Sequence, residues 1–114
     1  MQAWTSSLGS KSLNDGIRVL GVSPGACKTE RLVELIRTKA KAEYGNQRLW
    51  QNYLGELPLG RAATVREVAE VVTFMSSKRA SYISGVIVSI NGGYGAKNWP
   101  FVFKITFKLV KIKL

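Results

Sequence analysis

The chain contains no histidine and a single cysteine, Cys27. Without histidine, and without a second thiol, zinc sites and histidine-based catalytic triads are excluded. A lone cysteine forms no internal disulfide, so a reduced, cytoplasmic setting is expected. No stretch approaches the roughly 18 uncharged apolar residues of a membrane span. The opening Met-Gln-Ala-Trp-Thr-Ser-Ser-Leu-Gly lacks both a basic start and an apolar core, which speaks against a secretory signal. Acidic residues are scarce as well: seven against seventeen lysines and arginines, for a net charge of +10.

The charge is unevenly placed. Residues 94–114 hold five lysines (Lys97, Lys104, Lys108, Lys111 and Lys113) and no acid, whereas all seven acids lie before them. In the body of the chain the charges are scattered over predicted helices, which marks solvated faces rather than a nucleic-acid surface. A hydrophobic content of 46% in 114 residues fits one small globular domain.

What is present is organised around Gly16-Ile-Arg-Val-Leu-Gly-Val-Ser-Pro-Gly25. Ile17, Val19, Leu20 and Val22 make a nearly continuous, mostly β-branched run, the pattern of a strand covered on both faces in a parallel sheet. Gly16 suits the left-handed position past a helix end. Ser23-Pro24-Gly25 then breaks the strand at its carboxyl end, where ligands sit in open α/β sheets.

Upstream, residues 2–14 read as a helix with Trp4, Leu8 and Ser12 on one face. Downstream, Thr29 opens a second helix, with Leu32, Leu35, Ile36 and Ala40 at helical spacing and Gly45 at its end. Glu30 and Glu34 lie near its positive end and, without a third ligand, read as a solvated face rather than an acid–base or metal pair. Residues 47–54 form a short aromatic-bearing helix, and Leu57–Arg61 a loop. Thr64-Val65-Arg66-Glu67 is a capping box ahead of a helix carrying Val65, Val68, Ala69, Val72 and Met75 on one face. Val86–Ile90 is a second buried-strand run, closed by Asn91-Gly92-Gly93. Strand, helices, then strand is the pattern of a right-handed crossover between parallel strands.

After Gly95 only lysines and apolar residues dominate. Phe101, Phe103, Ile105, Phe107 and Leu109 alternate with polar positions at strand periodicity, and the phase slips past Leu109. The tail has two readings: an extra strand folded back over an open sheet edge, or a basic segment lying on an anionic lipid surface, the second disfavoured by the strand-like alternation.

In its register the chain resembles the C-terminal part of a short-chain dehydrogenase/reductase. The resemblance is carried by Gly16-Ile17-Arg18-Val19 leading into Val22-Ser23-Pro24-Gly25 and Thr29. Leu59-Gly60-Arg61 ahead of Glu67-Val68-Ala69 extends it, and Ser81-Tyr82-Ile83-Ser84-Gly85 running to Asn91-Gly92-Gly93 completes it. It divides the chain into residues 1–95, part of the family domain, and an unmatched tail, 96–114. The implied fold is a Rossmann-type, doubly wound α/β parallel sheet, of which residues 17–23 and 86–91 are the last two strands.

The resemblance also implies a nicotinamide cofactor, NAD or NADP, and a small carbonyl or alcohol substrate. By position, Pro24 and Gly25 shape the wall at the nicotinamide end, main-chain groups around Ala26 and Cys27 face the carboxamide, and the Thr29 hydroxyl reaches the carboxamide or pyrophosphate. Cys27 stands where the family often has Val or Ile, as passive packing. Residues 30–58 correspond to the substrate-covering lobe, with Leu32, Leu35, Trp50 and Tyr53 as contacts or as ordinary core.

The departures concern catalysis. The family uses a Ser and a Tyr followed four residues later by Lys, the Lys helping the Tyr to shuttle a proton. Here Tyr44, Tyr53, Tyr82 and Tyr94 are followed at that distance by Arg48, Leu57, Val86 and Asn98. The glycine-rich pyrophosphate fingerprint is absent too, since Gly92-Gly93-Tyr94-Gly95 has the wrong spacing and follows the last strand. In register, Met1 falls just after the family's catalytic helix segment, and a frame change or read-through is an expected source of the tail. The isolated chain is therefore expected to be catalytically inactive, with no catalytic residue of its own. An uncovered strand edge predicts a homo-oligomer or a partner chain.

Overall fold

The computed structural model describes residues 2–94 and, as a backbone strand, 108–113. Contacts divide the chain into two compact units. One comprises Met1–Pro24, Arg66–Ile90 and Lys104–Leu114; the other comprises Gly25–Val65 and Asn91–Phe103.

The first unit is built on β1 (Ile17–Pro24), whose residues Arg18 to Ser23 are all buried. β2 (Ile87–Ile90) runs parallel to it, with Gly21 opposite Ile87 and Pro24 opposite Ile90. This parallel pairing is the arrangement the two apolar runs predict. Gly21 is required by the packing: a Cβ there would stand 2.8 Å from the Ile87 side chain. β3 (Lys108–Lys113) lines the other edge antiparallel, with Ile17 opposite Lys113 and Val22 opposite Lys108. The sheet order is β2-β1-β3. The tail thus takes the first of its two readings over these six residues. The alternation read over Phe101–Phe107 lies outside the described residues.

α1 (Gln2–Lys11) continues into a 3-10 turn, Ser12–Asp15, and stops at Gly16, whose φ of 67° is left-handed. Its inward face differs from the expected one. Thr5 and Gly9 are buried, whereas Trp4 is 56% exposed. The reason is a backbone approach: a Cβ on Gly9 would lie 2.4 Å from the Cα of Gly85, and Gly85 itself sits at φ +74°. Ser84 Oγ donates to the Gly9 carbonyl at 2.9 Å and accepts from the Val19 N–H at 3.2 Å. The Gly85 N–H donates to the Val19 carbonyl at 2.7 Å. The Ser84-Gly85 turn therefore fastens α1 to β1.

Arg18, only 2% exposed, is an arginine where the strand pattern expects an apolar residue. Its guanidinium donates from Nη1 to the Met75 and Ile83 carbonyls at 3.1 and 3.2 Å, and from Nη2 to the Ser77 carbonyl at 3.1 Å. Two of these carbonyls close α4 (Val65–Ser76), where the helix dipole presents partial negative charge. Nε has no hydrogen-bond partner among the described residues. On α4 the predicted apolar face exists, but only Met75 is buried, with Val65 57% and Phe74 44% exposed.

The second unit packs α2 (Glu30–Tyr44) against α3 (Trp50–Gly55). Its core is Leu32, Ile36, Ala40, Tyr53, Leu57 and Ala62, flanked by Ala26, Trp50 and Leu54. Leu35, expected on the buried face, is exposed. Arg37 stacks over the Trp50 ring at 5.5 Å, and Lys39 over Tyr53 at 5.4 Å. Among the described residues no helix is long and apolar enough to cross a membrane.

Candidate functional site

The loop leaving β1 carries all five residues singled out by resemblance. Pro24 ends the strand, paired with Ile90, and is half-buried. Gly25, Ala26 and Cys27 are half-buried as well, and Thr29 is exposed.

The geometry from Ala26 to Thr29 is set by a short parallel bridge of Cys27 to Ala63. The Ala63 N–H donates to the Ala26 carbonyl at 2.9 Å, and the Lys28 N–H donates to the Ala63 carbonyl at 2.8 Å. The Thr29 N–H turns back to the Cys27 carbonyl at 2.8 Å. Main-chain groups around Ala26 and Cys27 are thus partly engaged with the segment just before α4. This pins the loop without any ligand. Ala63 is a partner that sequence reasoning missed, since alanine in a loop carries no periodic or polar signal.

Thr29 is the N-cap of α2. Its Oγ1 accepts from the Leu32 N–H at 3.2 Å, and its carbonyl accepts from the Val33 N–H at 3.1 Å. A hydroxyl that accepts in this way keeps its own O–H as a donor. The donor stands on the exposed first turn of a 15-residue helix, where unpaired N–H groups and the dipole favour negative or carbonyl oxygen. Lys28 beside it is also exposed.

The residues named as substrate contacts divide. Leu32 and Tyr53 are buried in the core of their own unit and act as packing, Trp50 is half-buried beneath Arg37, and Leu35 is exposed. The Tyr53 hydroxyl donates to Glu43 Oε2. Its pKa is pushed up from 10.0, first by burial and then by that hydrogen bond and the Glu43 charge. Tyr82, within the motif near the last strand, is fully exposed.

A family model described as enoyl-(acyl carrier protein) reductase matches residues 1–95. The chain belongs to the short-chain dehydrogenase/reductase family. Among curated relatives of this family member, an oxidoreductase of Mycobacterium bovis is 40% identical over 78 residues, covering 68% of the chain and 28% of the relative. A short chain dehydrogenase family protein from Francisella tularensis superposes with a TM-score of 0.74 at 32% identity, covering 84% of the chain and 40% of that structure. L-sorbose reductase from Gluconobacter frateurii, solved with NADPH and L-sorbose, superposes with a TM-score of 0.68 at 27% identity, over 81% of the chain and 36% of that structure. This short-chain dehydrogenase/reductase chain therefore spans between a quarter and two-fifths of the length of these proteins.

Proposed function

We propose that Pro24, Gly25, Ala26, Cys27 and Thr29 form the nicotinamide-side wall of an NAD(P)-dependent oxidoreductase acting on a small carbonyl or alcohol. The observation that carries this reading is the pinned loop: a strand end held by Ala63 and finished by an exposed, donating threonine hydroxyl at a helix start. These features fit the carboxamide end of a nicotinamide cofactor. Pro24 and Gly25 line the wall, Cys27 packs passively, and Thr29 orients the carboxamide by donating its O–H. The cofactor, when bound, would give a hydride to a carbonyl or take one from an alcohol. The acid–base step belongs to residues outside these 114, because no Tyr-x-x-x-Lys occurs among them. Residues 1–95 are the family part, and 96–114 an appended tail.

The test is saturation-transfer NMR of the chain with NADH and with NADPH. Weak transfer to nicotinamide protons, exceeding that to adenine protons and reduced by Thr29→Ala, is expected. So is a dissociation constant weaker than about 1 mM. Preferential transfer to adenine would overturn the site assignment; turnover of a carbonyl by the chain alone would overturn its inactivity.

A second reading, a module docking onto a partner reductase chain, is favoured by the apolar residues that α4 leaves exposed, Val65 and Phe74 among them. An anionic-surface role for the tail is weakened by the placement of Lys108–Lys113 in the sheet.

A further inference from the structure

The strand β3 lies beyond residue 95, where the family match ends, yet it follows β1 from Ile17 to Val22. β2 covers the opposite edge only from Gly21 to Pro24. Most of the edge pairing of β1, buried from Arg18 to Ser23, is thus supplied by a segment the family match does not cover.

An open edge on β1 would leave a row of buried N–H and C=O groups without partners, an arrangement that templates pairing with another chain. The sequence of β3, Lys-Leu-Val-Lys-Ile-Lys, replaces the mostly apolar edge Ile-Arg-Val-Leu-Gly-Val with one carrying three lysines. Lysines on an edge strand repel further strands.

The tether allows this pairing within one chain. β2 ends opposite Pro24 and β3 begins opposite Val22, at the same end of the sheet and two strand spacings apart, about 10 Å. Residues 91–107 join them, a contour of roughly 60 Å. A covalent connection of this length costs a closure entropy that grows only slowly with length. It also gives β3 an effective concentration of millimolar order at β1, about 1,000-fold above a micromolar solution of second copies.

We propose that β3 is a built-in edge lock, which by pairing with β1 of its own chain keeps that edge from accepting a strand of a second copy. Releasing it converts the chain from monomer to a β1-edge-paired oligomer. The proposal is independent of any cofactor.

Two variants of the 114-residue chain test it, Val110→Pro and Lys111→Pro. Successive N–H groups along a strand point to opposite edges, so one of these prolines removes a donor to β1 and the other does not. The effective variant is expected to speed hydrogen exchange of residues 17–22 by about tenfold or more while α2 stays protected. Its light-scattering mass should rise above the monomer, and the other variant should match the wild type. If both variants keep wild-type protection and mass, the lock is refuted.

A cross-link provides a readout that survives if a proline variant unfolds. In the chain carrying Cys27→Ser, Val19→Cys and Lys111→Cys, the new cysteines are directly opposed in the register. Opposed antiparallel residues lie within disulfide range. Oxidation is expected to give a cross-linked monomer. A cross-linked dimer, or no cross-link, would overturn the proposal.

Discussion

Tyr53 ties the core of the second unit to a titration. Burial, ahead of the hydrogen bond to Glu43 and the Glu43 charge, raises its phenol above the ordinary 10.0. A phenol with a raised folded pKa contributes stability that is fully present below the unfolded value. It is lost as pH rises past that value, because the unfolded chain then releases a proton that the folded chain keeps. Stability of the wild type should therefore fall relative to Tyr53→Phe between about pH 9 and about pH 11. Below that window the difference between the two should be flat. Urea denaturation of both proteins across the range checks this, and parallel stability curves up to the alkaline end would contradict it.

At the scale of elements, the decisive contact is the one between α1 and the Ser84-Gly85 turn. Gly9 faces backbone rather than a flexible side chain, with 2.4 Å from its would-be Cβ to Gly85. Backbone cannot give way cheaply, so Gly9→Ala should destabilise by about 2–4 kcal/mol. Gly55, in α3, has nothing within 4 Å of a would-be Cβ. Gly55→Ala should be neutral or stabilise by about 0.5 kcal/mol, and equal costs at the two sites in chemical denaturation would refute the contact. This contact also shows why α1 was only half legible. Its length and its stop at Gly16 are local signals, whereas the face it buries is set by a small polar residue, Thr5, and a missing side chain at Gly9, which hydrophobic periodicity does not register. Trp4 was the visible signal and points outward. α2 was legible from Thr29 to Gly45 because a cap and a stop are chemistry within a few residues. Arg18 and Ala63 were not: one finds its partners 57 to 65 residues away and the other makes a backbone bridge, neither of which leaves a trace in sequence spacing. The Pro24–Thr29 loop was legible as a position. The bridge that fixes its shape was not.

For the whole molecule, the net charge of +10 opposes the apolar residues that α4 exposes. Charge of one sign keeps chains apart over a distance set by the Debye length, about 30 Å at 0.01 M salt and about 3 Å at 1 M. Apolar contact between chains is strengthened, or left unchanged, by the same salt. Self-association should therefore increase with ionic strength. The opposite trend is expected for adhesion to an anionic surface, where screening releases the chain. The two behaviours separate a module that docks through exposed apolar residues from one that docks through its lysines. Light scattering of the wild type across that salt range should show mass rising, and Val65→Lys together with Phe74→Lys should suppress the rise. The double variant changes exposed positions only, so its effect on folding should be small. A mass that stays constant with salt, or a rise that persists in the double variant, would mean that the exposed apolar residues of α4 are not what brings chains together.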